Sequence, residues 1–104
     1  MTAKRQYKWI DRLIDRITKK SQSNNDTFCF YGHLVELQSG TTDYVDAVVY
    51  NTTDRYCGML AEFTFDFWTF ELCIETAENE DFEQAIIRGF KRIYGNRVQV
   101  STDN

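Results

Sequence analysis

At 104 residues, with 42% hydrophobic and 15% aromatic side chains, the chain is long and apolar enough for one domain spanning 1–104 with a real core, which excludes intrinsic disorder except at the ends, 1–3 and 101–104. A net charge of −4 argues against a general nucleic-acid binder, and no apolar run approaches the ~20 residues that cross a bilayer. The basic N-terminal residues lack the apolar segment of a secretory signal, and three widely spaced cysteines (Cys29, Cys57, Cys73) fit reduced thiols, so a cytoplasmic setting is expected, that of the host cell for a virus-encoded protein.

Residues 4–20 read as an amphipathic helix. At 100° per residue Tyr7, Ile10, Leu13, Ile14 and Ile17 share one side, and Arg5, Lys8, Arg12, Arg16 and Lys19 form a basic stripe on the other. Lys8–Arg12 and Arg12–Arg16 are like-charge pairs at i,i+4, each costing ~0.2–0.5 kcal/mol, and only Asp15–Lys19 offsets them in the favoured direction. A polar linker over 21–26 follows.

Strand signals rich in Phe, Tyr, Val and Thr cover 28–38, 43–51, 56–65 and 67–76, with turns at 39–42 and 51–54. The apolar positions are odd-numbered through Met59, Ala61, Phe63 and Phe65 and even-numbered through Trp68, Phe70, Leu72 and Ile74. An unbroken strand over 56–76 would run ~70 Å, so a turn or bulge near Phe65-Asp66-Phe67 must reset the pleat. Residues 80–94 read as a second helix, with Asn79 as N-cap, Glu80, Asp81 and Glu83 at its start, Lys91 and Arg92 at its end, and Gly95 as its stop. Phe82, Ala85, Ile86, Phe90 and Ile93 form its apolar stripe, and residues 97–100 can add an edge strand. The order α-β-β-β-β-α-(β) predicts an α+β fold: a four-stranded antiparallel meander with both helices on one face.

The charges are sorted along the chain. Residues 1–20 carry seven basic and two acidic side chains, a net of +5, whereas residues 36–83 carry twelve carboxylates against Arg55 alone, a net of −11. Most soluble domains intersperse their signs, so the segregation points to a partner. Strand alternation predicts an outer sheet face bearing Glu36, Tyr44, Asp46, Tyr50, Tyr56, Leu60, Glu62, Glu71 and Glu75, opposite Met59, Trp68 and Phe70 in the core. Tyrosines supply contact energy and carboxylates supply steering, which is the chemistry of a surface that docks on a Lys/Arg-rich groove. Nucleic-acid mimicry needs more charge than one strand provides. Duplex DNA carries a charge every ~1.7 Å of its axis, whereas Glu71 and Glu75 lie ~13 Å apart along a strand.

Catalytic signatures are missing. His33 is the only histidine, Cys29 and His33 are placed ~13 Å apart on one predicted strand, and there is no CxxC, HxxxH, GxGxxG or P-loop pattern. No catalytic residue, metal ligand or cofactor is therefore expected. In size, acidity and lack of catalytic residues the chain is similar to small anti-defence proteins of phages and mobile elements, anti-CRISPR proteins among them, a likeness of character that rests on no particular residue. The expected function is that of a non-enzymatic inhibitor or adaptor whose acidic face docks on a larger, basic, nucleic-acid-binding protein. The alternatives are self-assembly of the basic helix against a neighbour's acidic sheet, giving a homo-oligomer, or weak nucleic-acid binding through that helix; no membrane contact is expected.

Overall fold

A computed structural model describes residues 7–19, 25–41 and 43–102. The chain runs α1 (Lys8–Lys19), β1 (Asp26–Phe30), β2 (His33–Thr41), β3 (Tyr44–Tyr50), a 3-10 turn (Arg55–Cys57), β4 (Met59–Asp66), β5 (Glu71–Ala77), α2 (Glu80–Tyr94), a second 3-10 turn (Gly95–Arg97) and β6 (Gln99–Thr102). The six strands form one mixed sheet in the order β1-β2-β3-β4-β5-β6. Neighbours are antiparallel except β5 and β6, which run parallel across the α2 crossover. The class is α+β as the sequence predicts, but the sheet is mixed and not an antiparallel meander: beyond the four strands and the optional edge strand expected near 97–100, which is β6, it has one strand more at the N-terminal edge.

The additional N-terminal strand comes from a hairpin inside the segment expected to be a single strand over 28–38. Phe30 pairs with His33 around a two-residue loop, Tyr31 (φ 50°) and Gly32 (φ 80°). Positive φ at both positions is the type I′ geometry whose twist suits a hairpin, and it usually announces itself as Asn-Gly. Tyrosine in the first position hides that signal. The fold-back also revises the placement of Cys29 and His33. They lie on adjacent strands, and alternation puts them on opposite faces, since Cys29 pairs with Leu34 and His33 shares the parity of core residues Val35 and Leu37. At the other edge β6 extends to Thr102, so residues 101 and 102 are strand where a loose end is expected. The expectations for residues 1–3, 103 and 104, and for most of the linker, lie outside the described residues.

Helix α2 forms where its caps dictate. Asn79 Oδ1 accepts the Phe82 N–H at 2.9 Å, and Gly95 (φ 70°) ends the helix by donating its N–H to the Lys91 carbonyl. Both helices pack on the same sheet face. Ile10, Leu13, Ile14 and Ile17 of α1 and Phe82, Ala85, Ile86 and Phe90 of α2 join Val35, Leu37, Val45, Ala47, Val49, Ala61, Phe63, Phe65, Leu72 and Ile74 in one core. Burying four aliphatic side chains of α1 contributes on the order of 1.5–3 kcal/mol each, far above the few tenths lost to like-charge pairs. Tertiary packing therefore holds α1, and its charge pattern does not decide whether it forms. Helix α1 meets α2 closely at Gly89, where a Cβ would come within 2.5 Å of Ile14 Cδ1.

Two register irregularities decide which side chains leave the core. Val49 pairs with Ala61 but Tyr50 pairs with Met59, so a bulge at Leu60 exchanges the faces. Leu60, expected outside, is 7% exposed and joins the core, while Met59, expected inside, is 44% exposed. The pleat reset predicted near 65–67 is a four-residue turn, 67–70, in which Phe70 takes φ 61°. Trp68 is consequently 78% exposed and Phe70 only half-buried, not the core members that an even-numbered strand over 67–76 would make them.

Candidate functional site

With both helices on one face, no helix among the described residues covers the other, and the strand registers lay out its residues in rows. One row runs Thr27, Glu36, Val48, Glu62, Thr76; the next runs Gln38, Asp46, Thr64, Cys73, Ser101; the third runs Tyr44, Asp66, Glu71, Gln99. Asp46, Glu62 and Glu71 thus lie on the uncovered face. Glu75 is the extra residue of a second bulge, because Glu62 pairs with Thr76 while Phe63 pairs with Ile74. The bulge leaves Glu75 exposed within electrostatic reach of Glu62.

The carboxylates on this face are not equivalent. Glu36 is half-buried and already partnered: it accepts the Tyr50 hydroxyl hydrogen at 3.0 Å and pairs with Arg55. Burial first, and then the Glu36 bond, push the Tyr50 hydroxyl above its ordinary value near 10. Arg55 sits in the loop between β3 and β4, which Asp54 caps by accepting the Tyr56 N–H at 2.9 Å and which Gly58 (φ 102°) turns into β4. Tyr56 is therefore on this 3-10 turn and not on a strand, and it is 92% exposed.

In the centre of the face, Glu62 is half-buried and hydrogen-bonded to Asp46. Burial, and then the negative charges of Asp46 and Glu75, raise the Glu62 carboxyl above 4.5. Asp46 Oδ1 is buried with no hydrogen-bond partner among the described residues. Two carboxyl groups in contact repel when both are ionised, which adds to burial in making Glu62 hold its proton more tightly than a solvated glutamate does. Among the described residues no cation pairs with the carboxylates at the centre of the face, whereas Arg55 pairs with Glu36 at its end.

The basic stripe of α1 does not stand apart as the sequence suggests. Arg12 donates to the Tyr31 hydroxyl at 3.0 Å, and the half-buried Arg16 guanidinium lies 3.8 Å from the centroid of the Phe28 ring. The β1–β2 hairpin thus engages two of the five stripe residues. Lys8 and Lys19 are exposed, and Arg5 lies outside the described residues. Asp15, expected to offset Lys19, instead accepts from Arg92 of α2 at 2.8 Å.

His33 stacks on Trp9, with centroids 4.5 Å apart and planes at 11°, and its Nδ1 lies 2.9 Å from the Tyr50 carbonyl oxygen. Both contacts are structural. Among the described residues no group of three His, Cys, Asp or Glu side chains is placed to hold a metal ion, and no helix is long and apolar enough to cross a membrane. Sequence reasoning missed Trp68, the largest exposed apolar side chain on the molecule. Its signal was Asp66, a residue that fastens tight turns, followed by a change of apolar parity. Compared with protein-family models, curated proteins and solved structures, the chain finds no match.

Proposed function

We propose that the protein is a non-enzymatic inhibitor or adaptor that docks its uncovered sheet face on a basic, nucleic-acid-binding surface of a larger protein and occludes it. The observation that carries this reading is the contrast between the two sheet faces. One is filled by two helices, while the other presents Asp46, Glu62, Glu71 and Glu75 with no cation paired to them among the described residues. Tyr44 at one end of β3, Tyr50 at the other and Tyr56 on the 3-10 turn beyond it supply the aromatic area that desolvates well in an interface, and the carboxylates steer a basic partner. Anti-defence activity, in the manner of anti-CRISPR proteins, is the biological role that such occlusion suits. Engagement of Arg12 and Arg16 by the hairpin favours this reading over self-assembly through the basic helix or direct nucleic-acid binding, because one Arg12 donor is occupied by Tyr31 and the Arg16 guanidinium is packed on Phe28.

The test is capture of partners from lysate with the wild type beside Glu62→Lys/Glu71→Lys/Glu75→Lys. The expected outcome is a nucleic-acid-binding protein retained by the wild type, released by salt, and lost by the folded variant. Equal retention by both proteins overturns the reading. Sedimentation over a range of concentration and salt tests self-assembly in the same preparation.

A further inference from the structure

We infer that Trp68 anchors the proposed docking surface by taking an arginine side chain of the partner; this rests on the acidic-face reading and adds to it the residue and the chemistry of recognition. The turn holding Trp68 is fastened at both ends. Asp66 Oδ1 accepts the N–H groups of Trp68 at 2.8 Å and Thr69 at 3.2 Å, the Asp66 carbonyl accepts the Phe70 N–H at 2.7 Å, and the Asp43 carbonyl accepts the Phe67 N–H at 2.7 Å. The residues flanking the tip are packed: Phe67 lies edge-on to Phe65 at 5.1 Å, and Phe70 rests against Tyr94 at 5.1 Å. Phe70 holds a left-handed conformation that costs a non-glycine residue on the order of 1 kcal/mol or more. The fold thus spends strain and four hydrogen bonds on a turn that leaves an indole in water. An exposed tryptophan on a fixed backbone has only two side-chain torsions to lose on binding, which is the property of an interface anchor.

The surroundings select the ligand. Across the strands, Asp66 pairs with Tyr44 on one side and Glu71 on the other, so a tyrosine and two carboxylates lie at the same end of the sheet as the indole. A base could also stack on Trp68, but the attached phosphates would meet this acidic end, which disfavours nucleic acid and favours a cationic side chain. The chain already places guanidinium groups on its own rings: Arg97 lies 4.6 Å from the centroid of Phe70, two residues from Trp68, and Arg16 covers Phe28. Trp68 carries no ring or cation contact of this kind among the described residues and offers the best cation-binding face of the three aromatic types. Arginine fits better than lysine because its planar group stacks on the indole while its N–H fork reaches a carboxylate such as Glu71.

Fluorescence anisotropy with labelled nona-arginine and nona-lysine peptides tests this directly. Trp68→Ala is expected to weaken nona-arginine about tenfold and nona-lysine by less than about twofold, with Trp68→Tyr restoring part of the loss. In a Trp9→Phe background the emission of Trp68 is expected to shift on adding nona-arginine. Unchanged nona-arginine affinity in a folded Trp68→Ala protein, or an equal loss for both peptides, overturns the anchor. If Glu62→Lys/Glu71→Lys/Glu75→Lys abolishes binding while Trp68→Ala does not, the anchor falls and the acidic-face reading survives. If neither peptide binds the wild type, both fall.

Discussion

Arg55 is paired with Glu36, so the one basic side chain between residues 36 and 83 neutralises the first carboxylate of the acidic face. The pair has an asymmetric environment, with the Arg55 side chain 52% exposed and that of Glu36 15% exposed. The loop carrying Arg55 therefore acts as an internal counter-ion for a carboxylate that the strand cannot release to solvent. Arg55→Ala is expected to strengthen binding of a basic peptide several-fold at low salt and to lose that gain by about 0.5 M salt. Stability should fall by no more than about 1 kcal/mol, because the arginine is half in water and Tyr50 still donates to Glu36. Peptide affinity measured at two salt concentrations checks the first expectation, and urea unfolding checks the second.

Glu62 makes stability depend on pH. Its carboxyl titrates above 4.5 in the folded protein because burial and the charges of Asp46 and Glu75 disfavour ionisation. The folded state then binds the proton more tightly than the unfolded chain does, so this group favours folding at low pH and the contribution is lost as pH rises through the folded value. Glu62→Gln is expected to match the wild type at pH 4 and to be more stable at pH 7, with the difference appearing above pH 4.5. Chemical denaturation across pH 4–8 measures it, and a constant difference at all pH values would remove the electrostatic explanation.

Gly89 allows α1 and α2 to approach. A methyl group there would meet Ile14 Cδ1 at 2.5 Å, and Ile14 is fully buried with nowhere to turn. Alanine gains about 1 kcal/mol of helix propensity over glycine, but overpacking a close-packed core costs about 1–3 kcal/mol. Gly89→Ala is expected to lower stability by about 1 kcal/mol in the balance. Ile14→Val in the same chain should recover part of it by withdrawing the methyl that clashes, which thermal melts of the single and double variants will show.

Asn79 caps α2 through the Phe82 N–H and also donates from Nδ2 to the Tyr7 hydroxyl at 3.3 Å. Asn79→Ala is expected to cost about 1 kcal/mol, whereas Asn79→Asp keeps the cap and adds a charge that suits the helix dipole. Thermal unfolding should order the three proteins Asp, Asn, Ala in decreasing stability if the cap outweighs the contact with Tyr7.

How much of the fold could be read beforehand varied with how local its cause was. Helix α2 was legible to the residue, Glu80–Tyr94, because its cap, apolar stripe and glycine stop all lie within sixteen residues of one another. The outward positions of Asp46, Glu62 and Glu71 followed from strand alternation, since β3 and β4 pair without a shift from Tyr44–Asp66 to Val49–Ala61 and the bulge beside Glu62 takes its extra residue from β5. The Tyr31-Gly32 hairpin was not legible, because tyrosine rarely takes φ 50° and nothing in the local sequence demands it. Leu60 and Met59 exchanged faces because a bulge against Tyr50 breaks the alternation on which the expectation depended. Trp68 was assigned to the core by apolar parity alone, yet Asp66 had already closed the turn around it.

The sequence by itself determined the α+β class, the two helices, the segregation of charge and the stock of carboxylates and tyrosines, since these depend on composition and on patterns spanning a few residues. Only the tertiary structure decided which charges remain available. Arg12 and Arg16 are engaged by the β1–β2 hairpin, Glu36 is neutralised by Arg55, Glu62 is forced against Asp46, and Trp68 is left in solvent. Each of those outcomes depends on contacts between segments distant in the chain or on a bulge or turn that sets which way a side chain faces. Periodicity carries no information about either.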